Sequence, residues 1–554
     1  MNLSVRPAVL VTLAALLVPW ACAPADREAV AERPALVVMV VVDQLRADLL
    51  ERYAPALDGG FARLNRESLH FTSASHRHAS TSTAVGHATL STGASPGRHG
   101  IVGNTFRAAL TEGPGAPEGW SDEVYGVSDP EAPILGFPEA SGRSPRNLLA
   151  PGLADWMRAA DPETRVVSVS RKDRGAIPLA GHVRGEVYWI QDTAGRFVTS
   201  SYYRDAYPDW VEAFNRERMP RIMGDSVWAR VTPDGHLGLA RRDSATYEGD
   251  GVHVVFPHRR AEEASGAPPR AQYVWAAETP AGDRAVLDFA RAAMAATELG
   301  RRPGGTDLLA LSFSQTDYVG HAYGPGSQEQ LSNLVHLDGL LAELFTMLDE
   351  QVGPGRWVLG LSADHGVMTA PEWLTETGTP AERLSRDEVR QTRRVAADAA
   401  VAAASPREVP DRVARAVSAL PWVERVLVPA DLAAAAAGDA AGAGPLIGDT
   451  IADLFRRSYH PQRSWGVLAR YGVYVQFRRD VLFRDEPRGT THGSPWWHDR
   501  HVPLMVMGPG VPPGASAEAA YTTDLAPTLA ALAGIPFPEE VEGRTLVGGS
   551  GETP

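Results

Sequence analysis

The chain contains a single lysine. Of its 53 basic side chains, 52 are arginine, and Lys172 in "SVSRKDRGA" is the exception. Arginine fills the positions where a plain positive charge is enough. Lys172 is therefore either a solvated charge that survives by chance or the mark of a place that needs a compact ammonium rather than a planar guanidinium. Cysteine is as scarce, with Cys22 alone. That excludes an internal disulfide framework and leaves packing, metal ions or both to hold the fold. Positive charge is also short: the net charge is −14 and no K/R-rich cluster offsets it. This excludes a nucleic-acid-binding protein, and an anionic substrate would need a local basic pocket. Beyond the N-terminus, no apolar run is long enough to suggest a membrane span.

What is present is ordinary globular material. The 554 residues are 44% hydrophobic and 22% charged, enough for a large core. The N-terminus reads as an export signal. Arg6 and Pro7 precede "AVLVTLAALLVPW", a run of about 13 residues, too short to span and right for a signal core. Cys22 stands where a bacterial lipoprotein carries its lipid, although "VPWAC" departs from the small-residue consensus. The alternative is a secretory signal cut near "ACA". The expectation is a signal peptide over 1–22 and an exported protein, periplasmic or anchored at the cell envelope through a lipidated Cys22.

"ALVVMVVVDQLRADLL" opens the folded part. The β-branched run at 35–42 predicts a strand buried on both faces, with Asp43 at its carboxyl end. A helix is predicted from Arg46 to about Leu57. The pattern recurs: "TRVVSVS" leads to Lys172, "DLLALSFSQTD" to Asp317, "RWVLGLSADHG" to Asp364 and His365. "HVPLMVMGPG" is a further strand-like run. Strands separated by helical patterns predict an α/β sandwich with a central, mostly parallel sheet flanked by helices. Ligands of such sheets bind beyond the carboxyl ends of the strands. One domain is expected over 35–540, with insertions at about 105–150, 185–280 and 385–485. The first is rich in Gly, Pro and Ser and reads mostly as loop. The second is aromatic and reads as a hairpin subdomain. The third begins with an Ala-rich stretch that includes "DLAAAAAGDAAGAG". Near the C-terminus, "TTDLAPTLAALAGI" predicts an amphipathic helix with Thr or Asp at its start.

Chemistry gathers at the predicted strand ends. Asp317 and His321 in "SQTDYVGHAYG" are four apart, so on a helix they face the same way. "SADHGV" places Asp364 and His365 at a strand end. "GTTHGSPWWHDRHVP" adds His492, His498 and His501, and Asp43 adds another carboxylate. Three Asp and at least three His at the mouth of one sheet form a ligand set suited to zinc, with room for two ions. "HASTSTAVGHATLSTG" is dense in hydroxyls. At a helix N-terminus near a metal, Ser80, Thr81, Ser82 or Thr83 could act as a nucleophile.

Taken together these blocks resemble the alkaline phosphatase superfamily. The likeness is to the periplasmic, phosphate-irrepressible type with a threonine nucleophile, close to the nucleotide pyrophosphatase/phosphodiesterase branch. It is carried from about Ala35 to about Ile535 by "VVVDQLRAD", "TAVGHATLSTG", "HGIVGN", "KDRGAIPLAGH", "SFSQTDYVGH", "SADHG" and "GTTHGSP". It implies Thr83 as nucleophile, with Val85 where the family usually has proline. It implies two zinc ions, one held by Asp317, His321 and His492, the other by Asp43, Asp364, His365 and Thr83. His501 is the alternate for His492, and His498 is assigned to loop or packing contacts. Asn104 aligns with a family asparagine that donates to phosphate. Lys172 and Arg174 align with the basic pair of a "K-x-R" motif that favours monoesters. The implied function is an exported zinc-dependent alkaline phosphatase acting on small phosphate monoesters through a phosphothreonine. Two alternatives stand beside it: a phosphodiesterase or nucleotide pyrophosphatase on the same scaffold, and a metal-bound cell-surface binding protein. A sulfatase is disfavoured because Thr83 occupies the place of its modified Cys or Ser.

Overall fold

Leu36–Val42 forms strand β1, and all seven residues are buried. Their side chains alternate between two cores. Leu36, Val38, Val40 and Val42 belong to one; Val37, Met39 and Val41 belong to the other. A strand apolar on both faces must lie in a sheet covered on both sides. Each such side chain contributes about 1.5–3 kcal/mol over an exposed one. The computed structural model describes Met1 and residues 33–110, 120–225, 227–260, 269–432 and 450–547. The expected signal segment with Cys22, and most of "DLAAAAAGDAAGAG", lie outside the described residues.

The sheet continues with β2 (Ser68–Phe71), β3 (Val166–Ser170), β4 (Glu186–Gln191), β5 (Arg196–Val198), β6 (Asp307–Phe313), β7 (Trp357–Ser362), β8 (Leu504–Met507) and β9 (Gly514–Ser516). Its spatial order is β9-β2-β8-β7-β1-β6-β3-β4-β5. The central run β7-β1-β6-β3-β4 is parallel. β8 is antiparallel to β7 and β2, and β5 is antiparallel to β4. The expected parallel sheet is thus present at the centre of a mixed one, with "HVPLMVMGPG" supplying antiparallel β8.

Seven helices matter to the site: α1 (Ala47–Tyr53), α2 (Thr83–Thr92), α3 (Asp173–Leu179), α4 (Ala281–Thr297), α5 (Gln315–Tyr323), α6 (Gln328–Gln351) and α7 (Leu525–Leu532). α1, α4 and α6 pack in the core on one sheet face, α2, α3 and α7 in the core on the other. By length and composition α6 is apolar enough to cross a membrane. In the fold it is a core helix, with Leu331, Leu334, Leu337, Leu340, Leu341 and Leu344 all buried. Its polar residues interrupt the apolar run, which is why the sequence shows no long stretch there.

Residues 105–150 are mostly loop from 126 onward, as expected, but carry strand near their start. Thr105–Ala109 and Trp120–Tyr125 pair antiparallel, and Arg463–Ser464 adds a third strand. That third partner is over 300 residues away, so no local pattern announces it. The aromatic stretch from Glu186 is not a separate subdomain. β4 and β5 do form a hairpin, but β4 pairs parallel with β3 and extends the main sheet. Its aromatics are core residues: Tyr188, Trp189 and Phe197 are buried. Residues 385–485 do build a small core of their own. Helices Arg386–Val401 and Val409–Val417 pack there with Trp422, Leu468 and Val473.

Candidate active site

Four adjacent parallel strands end at one pole of the sheet. β7 leads to Asp364 and His365, β1 to Asp43, β6 into α5 with Asp317, and β3 to Lys172. Helix α5 starts there because the Asp283 carboxylate, from α4, accepts the N–H groups of Ser314 and Gln315 at 2.7 and 3.2 Å. The helix then sets Asp317 and His321 on one side, with His321 Nε2 3.1 Å from Asp317 Oδ1.

The three central histidines are oriented alike. His321 Nδ1 lies 2.9 Å from the Thr490 carbonyl, His365 Nδ1 3.0 Å from the Gly366 carbonyl, and His492 Nδ1 2.7 Å from the Thr81 carbonyl. A carbonyl can only accept, so each Nδ1 carries a proton and each Nε2 is the nitrogen turned toward the carboxylates. His365 Nε2 is 3.6 Å from Asp43 Oδ1 and 3.5 Å from Asp364 Oδ2, and His492 Nε2 is 3.7 Å from Asp317 Oδ1. Imidazole tied through one nitrogen and open at the other is the usual arrangement of a metal ligand.

The pole fits a cation. Asp43 Oδ1, Asp364 Oδ2 and His365 Nε2 are buried; among the described residues Asp43 Oδ1 and His365 Nε2 have no hydrogen-bond partner, and Asp364 Oδ2 has His87 Nδ1 at 3.2 Å. Two overlapping ligand groups lie with their atoms within 4.8 Å of one another: Asp317, His321 and His492; and Asp43, Asp317 and His365. Three buried carboxylates meet one buried ammonium. Lys172 Nζ donates to Asp43 Oδ2 at 2.6 Å and to Asp317 Oδ2 at 2.5 Å. Unpartnered buried acceptors of this kind are costly unless a cation pairs with them.

The carboxylates are driven apart electrostatically. Burial, with Asp317 and Asp364 adding to it, holds Asp43 well above the usual carboxylate range. Burial also opposes ionisation of Asp317, but His321 and Lys172 outweigh it and hold it well below. Asp364 goes the same way, with His365 and His87 overcoming burial. Burial, reinforced by the neighbouring His365 and His321, keeps His492 neutral far below its ordinary range.

The hydroxyl-rich run closes over this pole. Ser82, in extended conformation, precedes α2, and Thr83 is the first helical residue. An anion is favoured at such a helix start. Ser80 Oγ donates to the Val102 carbonyl and Thr81 Oγ1 to the Ser494 carbonyl, so both hydroxyls serve loop structure. α2 reaches the pole because residue 86 is glycine: a Cβ there would run into the Asp364 backbone. One turn after Thr83, His87 Nδ1 lies 2.8 Å from the Thr83 carbonyl and 3.2 Å from Asp364 Oδ2. Asn104 Oδ1 accepts the Ala84 N–H at 2.8 Å, which leaves its amino group to donate elsewhere.

Lys172 stands at the N-cap of α3, with Arg174 in its first turn. Asp173 between them is clamped. It accepts from the Tyr125 hydroxyl and from Arg143 Nε, both at 2.5 Å. Arg174 Nη1 is 3.4 Å from the Tyr125 oxygen, and its buried Nε has no hydrogen bond among the described residues.

The fold thus gathers Asp43, Thr83, Asn104, Lys172, Arg174, Asp317, His321, Asp364, His365 and His492 at one pole. It keeps the alternate His501 away, its Nε2 3.0 Å from the Thr72 carbonyl and its ring stacked on Trp497. His498 sits beside Asp499 at 3.5 Å. Sequence reasoning missed Gln44, His87, Asp283 and the Tyr125–Asp173–Arg143 clamp. Only His87 carried a signal, as the last residue of "TAVGH".

Comparison with known proteins identifies the family. The family model "Type I phosphodiesterase / nucleotide pyrophosphatase" matches residues 37–427. Alkaline phosphatase PhoV of Synechococcus elongatus is 31% identical, over 93% of this chain and 92% of its own length. A Myroides odoratus protein named "Calcium-transporting ATPase" is 30% identical, over 92% and 93%. The crystal structure of wild-type alkaline phosphatase PafA superposes with a TM-score of 0.80 at 28% identity, covering 93% of this chain and 98% of that one. With a family match over more than half its length, the chain belongs to the type I phosphodiesterase and nucleotide pyrophosphatase family, within the alkaline phosphatase superfamily.

Proposed function

We propose that this protein is an exported alkaline phosphatase that hydrolyses phosphate monoesters through a phosphothreonine at Thr83. Two zinc ions would be held by Asp317, His321 and His492 and by Asp43, Asp364, His365 and Thr83. Bound there, they would supply positive charge that lowers the pKa of a hydroxyl and stabilises a departing alkoxide.

The chain's own groups account for the rest. Thr83 Oγ1 gives its proton to water and forms a bond to phosphorus as the bond to the alcohol oxygen breaks in line, and the departing alkoxide takes a proton from water to leave as the alcohol. A second in-line displacement by water breaks the Thr83 ester, frees phosphate and restores the hydroxyl. Asn104 donates to a non-bridging oxygen as charge shifts onto it. The observation that carries the monoester reading is the basic pair. An ammonium has three donors, and Asp43 and Asp317 take two of those on Lys172. The third, together with the unpartnered Nε of Arg174, suits the extra charge of a monoester dianion.

Export rests on the N-terminal run before Cys22 and is read by fractionating cells that express the full chain. The activity is tested by comparing kcat/KM for an aryl phosphate monoester and the matching diester on zinc-loaded protein. A strong monoester preference is expected. A diester preference would move the protein to the phosphodiesterase branch. Zinc binding without hydrolysis of either would make it a binding protein.

A further inference from the structure

Gln44 follows Asp43 at the end of β1. It is one of two non-glycine residues with positive φ among the described residues, at 68°. A side chain in this left-handed region is strained, and such strain persists where the surroundings enforce it. The surroundings here are the two strands that flank β1. β7, on one side, leads to Asp364; β6, on the other, leads to Asp317. Gln44 gives one donor to each. Its backbone N–H reaches Asp364 Oδ1 at 3.0 Å and its Nε2 reaches Asp317 Oδ1 at 2.6 Å. The left-handed turn is what sends the main-chain and side-chain donors of one residue to opposite neighbours.

The side chain has a built place. Gln44 is fully buried. Beside it, residue 320 is glycine, and a Cβ there would collide with Gln44 Oε1.

Asp317 needs such a partner because it belongs to both ligand groups. Its terminal torsion is intrinsically soft, so rotamer preference does not decide which oxygen serves which group. Lys172 takes Oδ2. On Oδ1, the other neighbours are His321 and His492, themselves candidate ligands. Gln44 is the neutral donor that fixes the plane. On Asp364 its N–H takes Oδ1 and leaves Oδ2 facing His365.

We propose that Gln44 is a positioning residue for the metal pole, assigning the shared Asp317 carboxylate to the His321/His492 group while holding Asp364 toward His365. This rests on the reading that the pole binds metal. Outer-shell donors of this kind typically affect metal affinity by about 10–100-fold.

The test uses full-length protein stripped of metal and zinc alone as the probe. Gln44→Met keeps the size and removes the side-chain donor, while the backbone N–H stays. Gly320→Ala displaces an unchanged Gln44. Zinc affinity is measured by chelator competition, coordination by the cobalt(II) visible spectrum, and folding by apo unfolding temperature. Both variants are expected to weaken one of two zinc-binding steps by about 10–100-fold and to change the cobalt spectrum. Gln44→Met should do so with the apo unfolding temperature close to wild type. Unchanged affinity and spectrum in Gln44→Met would overturn the proposal, as would losses that track apo stability across both variants. Affinity, not turnover, carries the result. A zinc-binding wild type without esterase activity would sink the phosphatase reading, yet the selective loss in Gln44→Met would still uphold the positioning role. A wild type that binds no zinc overturns both.

Discussion

The Lys172 ammonium lies 2.6 Å from Asp43 Oδ2, and both side chains are buried. Burial disfavours the charge, but Asp317 and Asp43 outweigh it and keep Lys172 protonated far above its ordinary range. A compact ammonium fits between two carboxylates and still presents a third donor; a guanidinium has a wider, planar fork. Lys172→Ala is expected to lower kcat/KM for monoesters by about 10–100-fold, the scale of a charge-assisted hydrogen bond. Diesters should suffer much less. Lys172→Arg should fail to restore the monoester rate. Equal losses on both ester classes would remove the assigned role.

Thr83 opens α2, with Asn104 bonded to the next amide. Thr83→Ala is expected to cut turnover by roughly three orders of magnitude or more, as loss of a nucleophile does. Zinc content by elemental analysis should stay mostly intact, since the Asp and His ligands remain. Thr83→Ser keeps a hydroxyl at the helix start and should retain part of the rate. Wild-type turnover in Thr83→Ala would direct attention to Ser82, the neighbouring hydroxyl with no hydrogen bond among the described residues.

The strand-end residues were legible because parallel strands buried on both faces write continuous apolar runs, and the residue after each run stands at the sheet's pole. Asp43, Lys172 and Asp364 could be read that way. Asp317 and His321 followed from helical spacing. Thr83 could not be told from Ser80, Thr81 and Ser82 by composition; the structure sets Ser80 and Thr81 aside, because their hydroxyls bond loop carbonyls. Gln44 was invisible because its role depends on a backbone angle and on two partners about 270 and 320 residues away. The Tyr125–Asp173 contact was hidden for a related reason: Tyr125 lies on a strand in a segment that reads as loop.

Gly86 is the point where α2 touches the Asp364 backbone. A Cβ there must push the helix and the carboxylate apart. Gly86→Ala is expected to destabilise the protein by about 1–3 kcal/mol, the usual cost of overpacking. Because the displaced groups are Thr83's helix and Asp364, kcat should fall further than KM rises. Denaturant unfolding and steady-state kinetics on the same preparation test both parts. Wild-type stability and kcat together would show that the contact is readily relieved.

A second buried acid gives a pH prediction away from the metal pole. Glu329, near the start of α6, lies with Oε1 3.0 Å from His258 Nε2. Burial, aided by Asp243 and opposed by Arg241, pushes Glu329 up to about 8 from 4.5. Glu248 is pushed up to about 7, mainly by burial. Between 4.5 and 8 the folded state holds a proton on Glu329 that the unfolded chain has lost, so stability falls as pH rises through that range. His258 acts in the opposite sense lower down. Burial depresses it to about 4 from 6.5, so its contribution falls as pH drops below 6.5. The two oppose each other in the acid range, which leaves 6.5 to 8 as the window where Glu329 dominates. Glu329→Gln removes its titration and keeps the shape. Wild-type Tm should therefore fall between pH 6.5 and 8 by about 2 °C more than that of Glu329→Gln. Parallel Tm curves for the two proteins across this window would mean that Glu329 ionises near its ordinary range.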